Sequence, residues 1–282
     1  MKKKSIHLTI LVDNSAQPGL SKEHGFAVLV EAFGHTILFD TGQGTALLQN
    51  ATELRCELHR VEVLVLSHGH YDHTGGLAAV LGRTGPGIGV YCHADVLQPR
   101  YGFERSIPKA VGMPAASLAA LNGLSTRQVH WIEATRLLSE VVGLTGPIPR
   151  ETGYEDAGGP LFLDAEGRCP DPFRDDQALW IRTAEGLIIV AGCAHAGIIN
   201  TLQYVCQATG EVRIRAVIGG FHLLHAAERR LDSTMEALLS LGPETIVPCH
   251  CTGNRALERL TDAFGLRVSR GFAGMRLDFP ET

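Results

Sequence analysis

The segment Ser67-His68-Gly69-His70-Tyr71-Asp72-His73 places three histidines and one aspartate within six positions, directly after the apolar stretch 61–66. In extended chain, residues two apart point the same way, so His68 and His70 can aim both imidazoles at one cation. Asp72 and His73 follow where the chain is expected to turn into a helix at 75–81, and there they can face a second ion or a neighbouring position. Imidazole suits zinc, iron and other first-row metals, and a carboxylate oxygen complements it. The chemistry of this donor set is therefore metal binding at the tip of a strand.

Four other apolar runs end in a residue able to hold or orient a metal ligand. They are Phe39-Asp40-Thr41-Gly42, Gly192-Cys193-Ala194-His195, Gly219-Gly220-Phe221-His222 and Pro248-Cys249-His250-Cys251. Strand ends in open α/β sheets converge at the edge where ligands bind. Taken singly, a strand-end histidine is more often a hydrogen-bonded structural residue. Taken with His68, His70, Asp72 and His73, the pattern nominates His195 and His222 as further metal ligands. His250 and Cys193 are alternative ligands or members of the layer behind them, although a buried neutral cysteine is the commoner case. Asp40 is expected to orient a ligand histidine or stabilise its loop. His7, His35, His59, His130 and His225 lack such a context. Cys249-x-Cys251 has no matching cysteine pair, which argues against a structural zinc knuckle.

The elements that must position these residues alternate. Apolar runs of strand length fall at 8–12, 27–30, 36–39, 61–66, 88–92, 129–132, 178–181, 187–190, 214–218 and 245–247, several rich in Val and Ile. Helical patterns fall at 41–50, 198–208, 226–241 and 254–264. Gly210, Gly242-Pro243 and Gly265 serve as stops, and Thr252 as an N-cap. Alternation of this kind argues α/β. Hairpins at 27–39 and 178–190, each followed by strand–helix units, predict two sheets face to face with helices outside. Residues 1–282 are read as a single domain. Two irregular stretches, 98–123 and 147–176, are expected to serve as lid or substrate wall. Arg150 and Arg174 in the central loops are candidates to meet substrate anions, against the commoner solvated role of an arginine.

Composition narrows the function classes. A net charge of −5 over 282 residues gives no electrostatic reason to expect nucleic acid as a partner. Lys2-Lys3-Lys4 precedes an alternating, strand-like stretch without the apolar core of a signal peptide, and no window of about 18 apolar residues suggests a membrane span. Seven scattered cysteines without a secretory signal suggest reduced thiols and a cytoplasmic setting.

These residues resemble the metallo-β-lactamase superfamily. Ser67–His73 matches its His-x-His-x-Asp-His signature, and Phe39-Asp40-Thr41-Gly42 matches the aspartate-containing strand end before it. More narrowly, the chain resembles the 7,8-dihydropterin-6-methyl-4-(β-D-ribofuranosyl)aminobenzene-5′-phosphate synthase-like branch. The likeness rests on segments from Leu11-Val12-Asp13-Asn14, Glu23-His24-Gly25 and Ile148-Pro149-Arg150 through Gly192-Cys193-Ala194-His195 to Pro248-Cys249-His250-Cys251. The resemblance implies an αββα sandwich of two mixed sheets flanked by helices, with metals at one edge between the sheets. It implies a first metal site with His68, His70 and a late histidine, and a second with Asp72, His73 and another. Which of His195 and His222 completes which site is left open. The superfamily's bridging aspartate is replaced here by Cys193, which leaves occupancy by one ion or two open. The cofactor expected is one or two divalent cations, zinc foremost, with manganese or iron as alternatives.

Bound cations lower the pKa of water from about 15.7 toward about 7. The expected activity is hydrolysis of an ester, phosphoester or related bond of a small, anionic substrate, with Asp72 orienting the water. The alternatives are the synthase reaction of the branch, which releases pyrophosphate, and a non-catalytic ligand sensor on the same scaffold. The complete His68/His70/Asp72/His73 set speaks against the sensor.

Overall fold

A computed structural model describes residues 5–156 and 159–280. The basic run Lys2-Lys3-Lys4 lies outside the described residues, as do residues 157 and 158 of the expected irregular stretch 147–176. The chain divides into two compact units.

The first unit holds residues up to 132, with 160–175 and the C-terminal strand Arg276–Pro280. Its strands are β1 (Ser5–Val12), β2 (Ala27–Ala32), β3 (His35–Phe39), β4 (Val63–Val65), β5 (Gly89–Cys92), β6 (Tyr101–Glu104), β7 (Ile107–Ala110) and β8 (Val129–Trp131). Its helices are α1 (Thr45–Glu53), α2 (Tyr71–Thr74), α3 (Leu77–Leu81) and α4 (Ala115–Asn122). Seven strands form one mixed sheet, ordered C-terminal strand, β1, β2, β3, β4, β5, β8. Pairing is antiparallel as far as β3 and parallel beyond it. The unbroken apolar run Ile37-Leu38-Phe39 is buried throughout, as a strand covered on both faces requires. On one face Leu38 and Leu64 pack with Leu47, Leu77 and Val80 from the helices, each such side chain contributing about 1.5–3 kcal/mol by burial.

The second unit holds residues 133–159 and 176–271. Its strands are β9 (Arg136–Leu137), β10 (Val142–Leu144), β11 (Ala178–Thr183), β12 (Gly186–Ala191), β13 (Ile214–Gly220) and β14 (Thr245–Cys249), and its helices α5 (Ile198–Thr209), α6 (Glu228–Leu241) and α7 (Asn254–Phe264). The sheet order is β14, β13, β12, β11, β10, β9. The pairs β12–β13 and β13–β14 are parallel, so three chain ends emerge together where Ala191 aligns with Gly219 and Gly219 with Pro248. Ile189, Ile198, Leu202, Leu231, Ile246 and Leu260 form the centre of the core.

Several boundaries differ from the sequence reading, each for a local reason. The helix expected from residue 41 starts at Thr45, because Thr41 is held in the turn by its N–H and hydroxyl, both donating to His73 O at 2.8 and 2.9 Å. Glu23 then caps α1, accepting from Gln43 N at 2.9 Å and Ala46 N at 3.1 Å. The helix expected at 75–81 is two short helices, and the first takes up Asp72 and His73. Thr252 is not the N-cap of α7; Gly253 is. The Thr252 hydroxyl instead accepts from Phe221 N at 3.2 Å and donates to Cys249 O at 2.7 Å. The stretch 98–123 is not without regular structure: it carries the hairpin β6–β7 and helix α4. Residues 147–176 contain no helix or strand among those described, and Phe162 makes isolated bridges to Tyr101 and Pro170.

Candidate metal centre

In the first unit, Phe39 and Val65 are register partners, so Asp40 and the residues after β4 leave the sheet side by side. Asp40 N donates to Val65 O at 2.8 Å. Asp40 is fully buried and left-handed at φ 62°, a conformation aspartate tolerates better than most residues. Its Oδ1 accepts from Ser67 N at 2.7 Å; its Oδ2 accepts from Ser67 Oγ and from His73 Nδ1, each at 2.7 Å.

This network assigns tautomers. The Ser67 hydroxyl spends its proton on Asp40, so at 2.8 Å it accepts from His68 Nδ1. His68 therefore carries its proton on Nδ1 and a lone pair on Nε2, and His73 does the same. Both are fully buried. His68 Nε2 lies 3.0 Å from His70 Nδ1. Two nitrogens on one tetrahedral zinc at normal bond lengths stand about 3.3 Å apart, so these two rings fit a shared cation. Asp72 Oδ2 lies 3.9 Å from His73 Nε2 and 3.1 Å from Nε2 of His24, a half-exposed ring. Oxygen and imidazole donors of this kind suit a first-row divalent ion.

A buried ionic cluster supports the His68–His70 loop. Gly69 N donates to Asp175 Oδ2 at 2.8 Å, and Arg100 donates to Asp175 Oδ1 at 2.7 Å and to Asp171 Oδ2 at 2.5 Å. Burial pushes the Asp175 carboxyl up, against the pull of Arg100. A Cβ on Gly69 would lie 2.1 Å from Arg100 Nη1 and 2.6 Å from Val96 O, so only glycine fits between the two histidines. The Phe173 ring stands edge-on to His70, with centroids 5.5 Å apart.

In the second unit, the ends of β12, β13 and β14 gather Cys193, His195, His222, His250 and Cys251. One ligand atom from each of Cys193, His195 and His222 lies within 4.8 Å of the others, and the same holds for Cys193, His250 and Cys251. His195 and His222 have ring centroids 4.2 Å apart. Ala194, His222 and His250 all adopt left-handed backbone, at φ 53°, 49° and 45°. Such conformations cost on the order of 1–3 kcal/mol each and persist where packing imposes them. Here the imposition comes from close strands: a Cβ on Gly219 would fall 1.9 Å from Ala191 O. Burial would push the Cys251 thiol up, but hydrogen bonding with Cys193 and the charges of His222 and His250 outweigh it and hold it well below the ordinary value.

The loop before α5 is pinned in the same unit. Glu155 accepts from Ile199 N and Asn200 N, each at 2.9 Å, and from Thr152 Oγ1 at 3.0 Å. Asn200 Oδ1 accepts from Glu151 N and Thr152 N, each at 2.9 Å. Arg150 beside this clamp is exposed, as is Arg174 in the first unit.

The sequence profile of the metallo-β-lactamase superfamily matches residues 21–250. The chain belongs to the metallo-β-lactamase superfamily. Its two mixed sheets with helices have that superfamily's fold, and the crystal structure of Tm1679, a metal-dependent hydrolase of the β-lactamase superfamily, matches with a TM-score of 0.84 at 33% identity, covering 98% of this chain and 100% of that one. Among curated proteins, the uncharacterized protein MJ0448 of Methanocaldococcus jannaschii is 33% identical over 90% of this chain and 93% of its own length. The 7,8-dihydropterin-6-methyl-4-(β-D-ribofuranosyl)-aminobenzene-5′-phosphate synthase of the same organism is 31% identical over 91% of this chain and 90% of its own length. The chain is thus similar to that branch of the metallo-β-lactamase superfamily along nearly its whole length.

Within this superfamily member, sequence reasoning gave no site role to His24, Arg100, Asp171 and Asp175, and weighed Cys251 only as a knuckle partner of Cys249. His24 and Cys251 carried a signal, a metal-capable side chain inside a nominated segment. Arg100, Asp171 and Asp175 carried none, because buried charge pairing distant in sequence has no periodicity. Among the described residues, no helix is long and apolar enough to cross a membrane.

Proposed function

We propose that the protein is a metal-dependent hydrolase acting on an ester, phosphoester or related bond of a small anionic substrate. Its ligands for one or two divalent cations are His68, His70, Asp72, His73, His195 and His222, with zinc favoured over manganese and iron. The reading is carried by the Asp40–Ser67 network, which engages the Nδ1 atoms of His68 and His73, so that each ring would offer Nε2 to a cation. When bound, the cation supplies Lewis acidity, polarising the scissile group and acidifying water.

The chain's own residues do the rest. Asp72 Oδ2 orients the attacking water and accepts its proton, and His24, 3.1 Å away and half-exposed, passes that proton toward solvent. Asp40 holds the two histidines against rotation. Cys193 and His250 stand as alternative ligands or as the layer behind. Arg150, on the exposed loop pinned by Asn200, meets the substrate anion.

The test is turnover by chelator-stripped protein reloaded with zinc, manganese or iron, over a panel of esters and phosphodiesters. Activity should return with metal, and Asp72→Asn should lower kcat by about 10²–10⁴. A fully loaded protein that cleaves none of the panel would remove the proposal. Similarity to the named synthase supports a second reading, joining a dihydropterin methyl carbon to a ribosylaminobenzene phosphate with loss of pyrophosphate. Pyrophosphate release from the pterin substrate, dependent on the aromatic co-substrate, separates it from hydrolysis.

A further inference from the structure

We infer that the first unit carries a binding cavity for a small acidic amino acid, at the end of its sheet opposite the metal ligands, with Arg55 and Arg276 meeting the two carboxylates and Glu31 the ammonium group. None of these residues has a part in metal binding or catalysis, so the site stands apart from the hydrolase reading.

The cavity encloses about 400 Å³, the size of a small-molecule site. It exists because α1 is short. The nine residues of α1 reach about 13.5 Å at 1.5 Å each. The helix packs over Leu11 and Leu38, and His7, Glu31 and Thr36 beyond them on the same face are left to line the cavity. Thr9 and Leu29, register partners, form its floor. Register also sets the walls. Thr9 pairs with Arg276 and His7 with Glu31, so Arg276 and Glu31 stand diagonally, two strands and two residues apart, about 12 Å between Cα atoms. Thr36 precedes Asp40 by four residues, about 13 Å of extended chain, which separates the cavity from the metal donors.

Three guanidiniums and three carboxylates line the cavity, and internal pairing removes part of that set. Arg60 Nη1 donates to Glu57 Oε2 at 3.1 Å, and the His7 ring bonds Asp278. Arg276 spends one N–H on Leu54 O, at 2.7 Å, and keeps its remaining donors. Among the described residues, the Arg55 guanidinium and the Glu31 carboxylate make no hydrogen bond or ion pair. Two cationic groups and one carboxylate are therefore uncommitted, and a ligand that balances them carries two carboxylates and one ammonium group. Arg55 is fixed at the end of α1 in left-handed backbone, at φ 58°. There its N–H donates to Thr52 O at 3.1 Å, and Cys56 N donates to Ala51 O at 2.7 Å. Glycine is the usual occupant of that helix-end turn, yet an arginine stands there and lines the cavity.

The experiment is calorimetric titration of L-glutamate into the chelator-stripped full chain, beside glutarate, which lacks the amine, and inorganic phosphate. L-glutamate should saturate at one per chain, and the other two should bind about tenfold more weakly or worse. Arg55→Gly suits the left-handed turn, so it keeps the fold while removing the guanidinium. It should weaken L-glutamate about tenfold or more, as loss of a bidentate carboxylate partner does. Glu31→Gln should erase the preference over glutarate. Cys56, half-buried in the cavity wall, locates the ligand. L-glutamate should slow its alkylation, read by peptide mass spectrometry, and leave that of half-buried Cys206 in the second unit unchanged. No saturable binding at millimolar concentration, equal binding of glutarate or phosphate, unchanged affinity in Arg55→Gly, or an unprotected Cys56 overturns the inference. Each arm is read without metal or turnover, so the hydrolase reading can fail without touching it.

Discussion

Replacing Asp40 with asparagine tests the orientation argument with almost no change in shape. The native carboxylate accepts from Ser67 N, Ser67 Oγ and His73 Nδ1, each at 2.7 Å. An asparagine can keep its Oδ1 toward Ser67 N. Its amide nitrogen then faces a hydroxyl and a ring N–H, a donor against two donors. The contact is relieved only if Ser67 turns its proton to His68 and both histidines move theirs to Nε2. That shift removes the two lone pairs meant for the cation. Loss of such orienting partners typically weakens metal binding 10–100-fold, about 1.4–2.8 kcal/mol at 1.4 kcal/mol per decade. The metal-free protein loses less, since each bond can re-form after the tautomers change. The assay is competition with a chromophoric chelator at neutral pH, beside thermal unfolding of the metal-free variant. Metal affinity within twofold of wild type, in a folded variant, would refute the tautomer assignment and the role given to Asp40.

Removing the guanidinium by Arg100→Met leaves Asp171 and Asp175 buried without their shared cation, and should destabilise the protein by about 3–5 kcal/mol in denaturant unfolding. Burial raises the Glu155 carboxyl above its ordinary 4.5, outweighing its backbone hydrogen bonds and Arg230. The folded state thus keeps a proton that the unfolded chain has released. Its contribution is fully present below pH 4.5 and is lost as pH rises through the raised folded value. Glu155→Gln should flatten that decline in a pH series of unfolding midpoints. Gly219→Ala forces a Cβ to 1.9 Å from Ala191 O at φ 129°, and should cost at least about 1–3 kcal/mol, read as a lower urea midpoint.

Local chemistry made much of this protein legible in its residues. The alternating apolar runs announced ten strands now found in the two sheets, because burial on a pleated surface leaves a local pattern. The stops at Gly210 and Gly242 are left-handed, at φ 68° and 62°, as a helix end that suits glycine requires. The hairpin β6–β7, β9, β10 and the C-terminal strand escaped notice. They are short, or exposed like Ile107–Ala110, and their pairing partners decide them. The 67–73 segment by itself determined that donors for a cation exist, since their spacing lies within one turn of chain. Tertiary structure alone decided that Asp40 reaches His73 across 33 positions, that Asp175 holds Gly69 across 106, and that Cys251 comes to Cys193 across 58. Those contacts follow from which strand ends align in a sheet, a long-range register that no window of sequence records.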